Sequence, residues 1–330
     1  MHIKKIIINK LKSLFSNDNL MYTSQLSTHK HICEHCYKTF LENNDLYTLY
    51  KNLIKNLDDK SILIVTTMIS RIQQALKNNK KFVISEEEKK LFYNRNFHNQ
   101  NIVKLANNIY TNGKHFLPVK HFISTIFIDN HFIDEINNKN LIKNKAIIDV
   151  GAFIGDSALL FAQLTTNKVY AFEPVKANYD KMLETIKLNS AYNIIPLQLG
   201  LGSKNINDSI NIFDNGVSST LRPDRKNTKG SNQEIIKIIR LDDYVNENNL
   251  SVGLIKVDIE GLEKDFLKGA METIKQQRPV LMISIYHTAE DLFTIKPLIE
   301  SWNLGYKFKI RKSSKPSILD DTILIAECYE

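Results

Sequence analysis

Residues 146–157 read AIIDVGAFIGDS, and this stretch decides the fold. The apolar residues up to Val150 are mostly β-branched and are followed by a glycine, which is typical of a buried parallel strand. Gly151 then makes a turn, and Gly155 opens a helix that continues with apolar residues. Because glycine has no side chain, a ligand can contact the backbone of such a turn. The stretch therefore predicts a strand–turn–helix unit that binds a ligand.

The spacing of the glycines indicates which ligand the turn binds. It is Gly-x-x-x-Gly, whereas the dinucleotide fingerprint is Gly-x-Gly-x-x-Gly, whose middle glycine lets the backbone approach a pyrophosphate. Ala152 and Phe153 fill that region here. No Lys-Ser or Lys-Thr pair follows the turn, which excludes a P-loop. A ligand without phosphates is therefore favoured.

A second predicted strand brings an acid close to this turn. Residues 168–172 read KVYAF and run directly into Glu173, and Pro174 suits the first turn of the helix that follows. An acid about 20 residues past the glycine turn takes hydrogen bonds from the two hydroxyls of a ribose. A ribose site without a pyrophosphate site indicates S-adenosylmethionine. A chance acid after the second strand of any doubly wound α/β protein is the alternative.

A third segment carries a more specific pattern. Residues 254–263 read LIKVDIEGLE and form another predicted strand that ends in acids, and RLDDYV precedes it at 240–245. Together with IIDVGAFIGDS at 147–157, VYAFEPVKANY at 169–179 and ISIYH at 283–287, these segments resemble the FkbM family of S-adenosylmethionine-dependent methyltransferases. The resemblance covers roughly the last three-fifths of the chain.

The order of predicted strands and helices defines the fold class. Strands are predicted at 146–150, 168–172, 194–199, 253–257, 280–286, 307–311 and 322–326, with helices between most of them. This alternation predicts a doubly wound, seven-stranded and mostly parallel sheet. The last two strands follow each other without a helix, so the last strand is expected to be antiparallel. We therefore expect a Rossmann-like class I methyltransferase domain of the α/β class over residues 141–330, which the resemblance also implies.

Three further segments receive local predictions. Residues 1–140 are expected to form an N-terminal, mostly helical region. Leu262 to Gln276 is expected to form one helix. The polar residues 216–233 connect a predicted hairpin and either cover the substrate or form a surface loop.

Composition narrows the class of protein. The apolar and charged fractions are those of a soluble globular protein. The net charge is +8, but the lysines are scattered rather than clustered, so a basic binding surface is not indicated. Three cysteines are too few for a disulfide framework and fit a reducing compartment. No secretory signal and no apolar run of the ~20 residues needed to span a bilayer occurs. We expect a cytoplasmic protein.

Two N-terminal segments allow alternative interpretations. Residues 3–15 place isoleucines and leucines at helical spacing among lysines, so they either pack on protein or contact an anionic membrane weakly. Cys33 and Cys36, with His29 and His31 nearby, have the chemistry of zinc ligands. No second cysteine pair or spaced histidine pair follows, so no metal site is predicted.

The predicted cofactor-binding residues fall at the C-terminal ends of the parallel strands. Ligands of such sheets bind outside that edge, at the topological switch point. The cofactor candidates are Asp149, Gly151, Ala152, Gly155, Asp156, Glu173, Pro174 and Asp258. Glu173 is expected to bind the ribose, whereas Asp149 and Asp156 bind the methionine ammonium or hold the loop. Asp156 at the start of a helix also suits a simple capping role.

The predicted catalytic residues follow the fourth and fifth strands of the domain. Asp258 and Glu260 lie where the methyl acceptor must approach, and they either orient or deprotonate a hydroxyl or cap the next helix. His287 follows the neighbouring strand, and an imidazole with a pKa near neutrality suits a general base. It equally suits the start of the helix that begins at Ala289.

These residues predict an S-adenosylmethionine-dependent O-methyltransferase that acts on a small-molecule or glycan acceptor. The resemblance implies a sugar or polyketide hydroxyl, and nothing in the sequence resembles an assembly-line enzyme. We therefore expect a sugar of a bacterial surface glycan. The alternatives are N-methyl transfer to an amine or peptide, and a non-catalytic module that binds S-adenosylmethionine. A nucleic-acid substrate is disfavoured because the Asn-Pro-Pro-Tyr motif used on exocyclic amines is missing.

Overall fold

A seven-stranded sheet forms the centre of the computed structural model. The structure describes residues 34–78, 98–213, 232–313 and 317–328, the pieces 22–23, 82–83 and 218–220, and positions 88, 90 and 94. The sheet consists of β1 (Ala146–Val150), β2 (Val169–Phe172), β3 (Ile194–Leu197), β4 (Val252–Val257), β5 (Val280–Ser284), β6 (Lys307–Lys312) and β7 (Thr322–Glu327).

The order of the strands is β6-β7-β5-β4-β1-β2-β3. Strands β1 to β5 pair in parallel, and β7 runs antiparallel to both of its neighbours, β5 and β6. The predicted doubly wound, mostly parallel sheet with an antiparallel last strand is confirmed. The topology reverses between β1 and β4, so the switch point lies beside the glycine turn that follows β1.

The helices pack on both faces of this sheet. They are α1 (Glu34–Glu42), α2 (Leu46–Ile54), α3 (Asp59–Asn78), α4 (Ser124–Phe127), α5 (Asp156–Phe161), α6 (Lys176–Leu188), α7 (Leu241–Glu247), α8 (Glu263–Gly269), α9 (Met271–Gln277) and α10 (Ala289–Ser301). The prediction of one helix over Leu262–Gln276 is wrong, because the chain breaks at Ala270 into α8 and α9. A Cβ at Gly269 would lie 1.9 Å from the carbonyl oxygen of Gly202, so the helix ends where two backbones pack together.

The sheet separates two hydrophobic clusters because successive residues of a strand point to opposite faces. In β1, Ile148 belongs to one cluster and Ile147 to the other. Helices α1 to α3 contribute to the first cluster, for example through Leu53, and the segment around α4 contributes to the second through Ile126. The N-terminal region therefore packs on the sheet of the following domain.

The N-terminal region also contains strands, where a helical pattern was predicted. Val103–Ala106, Ile109–Thr111 and Phe116–Leu117 form a three-stranded antiparallel sheet. Asn108 connects the first two strands with a φ of 57°. Asparagine tolerates this left-handed conformation and is favoured in short hairpin turns, a signal that the helical interpretation overlooked. The domain boundary near residue 140 stays a prediction.

The remaining N-terminal predictions concern the cysteines and the membrane. Cys36 is disulfide-bonded, a bond that was not predicted from the sequence. Cys33, the neighbouring histidines and residues 3–15 lie outside the described residues. Among the helices that the structure describes, none is long and apolar enough to cross a bilayer.

A second sheet lies beside the N-terminal end of α6, where Val175 packs with Ile210, Ile236 and Ile238. Its order is Ser218–Thr220, Ile206–Phe213, Asn232–Ile239 and Gly200–Leu201. The antiparallel pairing of Ile206–Phe213 with Asn232–Ile239 confirms the predicted hairpin. Most of the polar connection 216–233 lies outside the described residues, apart from the short strand at its beginning.

Candidate active site

The glycine turn after β1 has the conformation that its sequence predicts. Gly151 and Gly155 have φ values of 74° and 83°, which L-residues with side chains rarely adopt. A Cβ at Gly151 would lie 2.0 Å from the carbonyl oxygen of Asp258, so only glycine allows β1 and β4 to end this close together. The buried Ala152 follows, and its N–H donates to the carbonyl oxygen of Phe172 at 3.0 Å. The turn is thus fixed between the ends of three strands.

Glu173 connects this turn to the next helix. One carboxylate oxygen accepts from the N–H of Phe153 at 3.1 Å, and the other accepts from the N–H of Val175 at 3.0 Å and from Asn178 at 3.4 Å. The side chain is buried, and burial raises its pKa to about 7. Pro174 lies just before the helix and outside its first turn, because α6 begins at Lys176 after the N-cap Val175. Each carboxylate oxygen accepts up to two hydrogen bonds, so Glu173 can also bind a ligand hydroxyl.

Asp149 forms a buried ion pair with Lys256, a residue that the sequence analysis missed. The two residues face each other in the register of β1 and β4, and Nζ lies 3.0 Å from Oδ1. Ser157 donates to the other oxygen of Asp149 at 2.7 Å, and Lys256 donates to the carbonyl oxygen of Gly151 at 2.7 Å. Burial alone would lower the pKa of Lys256, but Asp149 and Asp258 raise it above its ordinary value. This pair therefore holds the loop, one of the two roles expected for Asp149.

Asp156 is the first residue of α5, and one of its two carboxylate oxygens accepts no hydrogen bond from the described residues. Its Oδ1 accepts from the N–H of Ser157 at 3.0 Å, whereas Oδ2 is buried and accepts no hydrogen bond from any described residue. Burial raises the pKa of this carboxyl to about 7. A buried acceptor without a donor is unfavourable unless a ligand supplies the donor. Asp156 is thus the residue of the turn best suited to bind a ligand ammonium group.

The ends of β4 and β5 bring the predicted catalytic residues together. Nε2 of His287 lies 3.3 Å from Oδ1 of Asp258 and 3.9 Å from Oε2 of Glu260. On the other side of the ring, Nδ1 lies 2.9 Å from Oε1 of Glu263, and both side chains are fully buried. Glu263 also accepts from the N–H of Ile259 at 3.0 Å, which fixes the loop after β4. The sequence analysis did not single out Glu263 for this role.

The charge of His287 differs from the sequence-based expectation. Burial alone would lower its pKa, but Glu263, Glu260 and Asp258 raise it to about 10. The expectation of an imidazole with a pKa near neutrality is therefore wrong, since three carboxylates surround the ring. In this arrangement His287 is a cation that holds Asp258 and Glu263.

The antiparallel direction of β7 adds a further acid to the same edge of the sheet. Strand β7 begins, rather than ends, at the carboxyl edge, so Asp321 precedes it there. Asp321 is buried and accepts from the hydroxyls of Thr125 and Ser313. His131 is also buried near this edge, and burial lowers its pKa to about 4. Both residues belong to segments without a motif, so the sequence offered no signal for them.

Comparisons with known proteins indicate the family that the chain resembles. The family model described as "Methyltransferase FkbM domain" matches residues 149–308. The chain is 26% identical over 212 residues to "Methyltransferase 1" of Beauveria bassiana, which covers 58% of this chain and 84% of that protein. It is 31% identical over 163 residues to "Methyltransferase sdnD" of Sordaria araneosa, which covers 40% of this chain and 63% of that protein.

A solved structure shares the fold. The crystal structure of methyltransferase FkbM from Methylobacillus flagellatus superposes with a TM-score of 0.53 at 19% identity. The superposition covers 85% of this chain and 58% of that one. The family match begins at Asp149 in β1 and ends at Phe308 in β6, so it includes every predicted site residue. Residues 149–308 thus match the methyltransferase FkbM domain, and this chain is a methyltransferase.

Proposed function

We propose that this methyltransferase transfers the methyl group of S-adenosylmethionine to a hydroxyl of a sugar acceptor. The observation that carries the proposal is the set of buried acids around the glycine turn, above all the unused oxygen of Asp156 and the carboxylate of Glu173, which binds the N–H of Phe153 in the turn. An acidic site without a phosphate-binding motif suits a cofactor with a positive sulfonium, a positive ammonium and a ribose.

Different residues of the turn bind different parts of the cofactor. Asp156 binds the ammonium through its unused Oδ2, and Glu173 binds the ribose hydroxyls. The backbone of the turn, which Gly151 and Gly155 shape through their positive φ values, contacts the cofactor, and the buried Ala152 lies between the two glycines. Asp149 acts indirectly, because Lys256 occupies it and connects it to the carbonyl of Gly151.

The acceptor site lies at the ends of β4 and β5. Bound S-adenosylmethionine supplies a methyl group on a sulfonium, which a nucleophile displaces in line. Asp258 and Glu260 are partly exposed there and orient the acceptor hydroxyl, whereas the buried His287 holds Asp258 in place. Carboxylates that accept hydrogen bonds are well suited to the hydroxyls of a sugar. Positioning of this kind is a major source of rate enhancement in a displacement reaction.

The acceptor is best identified by transfer of a labelled methyl group. Purified protein with tritiated S-adenosylmethionine should label nucleotide sugars or surface-glycan fractions, and the labelled sugar should carry an O-methyl group. Label in amines or peptides would replace this proposal with N-methyl transfer. Binding of the cofactor without transfer to any of these fractions would indicate a non-catalytic module.

A further inference from the structure

The cluster at the ends of β4 and β5 has the composition of a metal site. Asp258, Glu263 and His287 each offer one ligand atom, and these atoms lie within 4.8 Å of one another. Glu260 approaches the same ring nitrogen as Asp258, at 3.9 Å. Asp258 and Glu260 follow β4, Glu263 begins α8, and His287 follows the neighbouring strand β5, so rigid elements hold the cluster in place.

The orientation of His287 is that of a metal ligand. Its Nδ1 lies 2.9 Å from the buried carboxylate of Glu263, which leaves Nε2 facing Asp258. Histidines that bind metals usually donate the other ring N–H to a carboxylate in this way, which fixes the ring and its tautomer. The distance of 3.3 Å between Nε2 and Asp258 Oδ1 is longer than the roughly 2.7–2.9 Å of a charge-assisted hydrogen bond. It matches two ligands of one ion, which lie about 3.0–3.3 Å apart when each bond is about 2.0–2.1 Å long.

The carboxylates around the imidazole of His287 favour the binding of an additional cation. Oε2 of Glu263 is buried and accepts no hydrogen bond among the described residues. Asp291, at the start of α10, is a further buried carboxylate in electrostatic contact with Glu263 and His287. Lys264, the lysine next in sequence, pairs with the exposed Glu290 instead. Several carboxylates thus surround one imidazole, and Lys256, a further cation near Asp258, is already paired with Asp149. Buried negative charge of this kind is stable only when it is neutralised.

We propose that Asp258, Glu260 and Nε2 of His287 bind one divalent first-row transition-metal ion, which replaces the proton on Nε2, with Glu263 holding the ring from behind. Mixed carboxylate and imidazole ligands suit Mn²⁺ and its neighbours in that series. The inference rests on the proposed function, because the site lies where the acceptor hydroxyl is expected. It departs from the sequence analysis, which predicted no metal site.

The ion would activate the acceptor as a Lewis acid. An acceptor hydroxyl that binds the ion releases its proton to water more readily. The oxygen then forms a bond to the methyl carbon while the bond between carbon and sulfur breaks, which leaves S-adenosylhomocysteine with a neutral sulfur. An ion with open positions chelates two adjacent hydroxyls, so the site favours sugars with a vicinal diol.

The test is direct binding of Mn²⁺ to the full chain. After treatment with EDTA and desalting, titration with Mn²⁺ is followed by the loss of the free-ion signal in electron paramagnetic resonance. We expect one saturable equivalent per chain. Glu263→Gln and His287→Ala should each weaken binding by at least about 10-fold. Glu290→Gln is the matched control, because this neighbouring acid pairs with Lys264 and is exposed, and it should bind Mn²⁺ like the wild type.

Two further measurements separate the possible failures. Mn²⁺ should raise the melting temperature of the EDTA-treated wild type. This measurement does not depend on whether variants at buried positions fold. No saturable binding to the wild type, or equal binding by Glu263→Gln and the wild type, would overturn the metal site. Binding of S-adenosylhomocysteine to the same EDTA-treated protein tests the proposed function separately. If the cofactor binds and Mn²⁺ does not, only the metal site fails.

Discussion

Replacement of Lys256 by methionine tests the buried ion pair that holds the glycine turn. The side chains of Lys256 and Asp149 are 5% and 0% exposed, and their charged atoms are 3.0 Å apart. Lys256 also donates to the carbonyl oxygen of Gly151 at 2.7 Å. Methionine is unbranched and fills most of the same space, so Lys256→Met removes the charge and the donors without a large cavity.

The expected loss follows from the charge left behind. Removal of one partner of a buried ion pair destabilises a protein by about 3–5 kcal/mol, because the other charge stays buried without compensation. Ser157 still donates to Asp149 at 2.7 Å, so we expect the lower end, about 3 kcal/mol. The double variant Asp149→Asn/Lys256→Met leaves no uncompensated charge at these two positions and should recover much of this loss.

Urea unfolding at pH 7, followed by circular dichroism, measures these differences. Lys264→Met is the matched control, since this lysine pairs with Glu290 at the surface and its loss should change stability by less than about 1 kcal/mol. The reasoning would be refuted if Lys256→Met stayed within about 1 kcal/mol of the wild type. It would equally be refuted if the double variant were no more stable than the single one.

The remaining predictions concern the turn and its acids. Glu173→Gln should weaken binding of S-adenosylhomocysteine by about 1.5–3 kcal/mol, measured by calorimetry, because a charged acceptor is lost; unchanged affinity would remove Glu173 from the site. Gly151→Ala should lower the melting temperature more than Gly113→Ala. Both glycines have positive φ, but only at Gly151 would the new Cβ meet a backbone oxygen at 2.0 Å; equal losses would mean that backbone conformation alone matters. Burial raises the pKa of Asp156 in the folded state to about 7, whereas its pKa in the unfolded chain is about 4. The contribution of Asp156 to the stability of the fold therefore falls as the pH rises between these two values. The stability of Asp156→Asn relative to the wild type should therefore increase between pH 5 and pH 8 in urea titrations, and a pH-independent difference would contradict the raised pKa.

The sequence predicted those parts of the fold that depend on local backbone geometry. Gly151 and Gly155 mark a turn that only glycine can make, and Glu173 marks the end of the next strand. Such positions are recognisable because one residue type satisfies a local steric or hydrogen-bonding need. The same reasoning located the strand ends that carry Asp258 and His287.

The environment of these residues depends on contacts that no local pattern encodes. Glu263 at the start of α8 and the carboxylates of Asp258 and Glu260 after β4 raise the pKa of His287. These groups meet His287, which follows β5, only in the folded sheet. Lys256 had a usable signal, because a single lysine within a fully buried strand requires a partner, and strand register places Asp149 opposite. The hairpin around Asn108 was missed because apolar residues at helical spacing were given more weight than the turn.

The packing of the N-terminal helices on the C-terminal strands has a consequence for how the chain folds during synthesis. The hydroxyl of Tyr37 in α1 donates to the carbonyl oxygen of Tyr286, 249 residues later. Asp58, just before α3, pairs with Arg311 in β6, 253 residues away. Helix α1 and the start of α3 therefore lack these partners until β5 and β6 have been synthesised. Contacts of such sequence separation form slowly, and the apolar faces of α1 to α3 stay exposed in the meantime. These faces are therefore exposed to aggregation for longer than those of a domain whose early segments pack on each other.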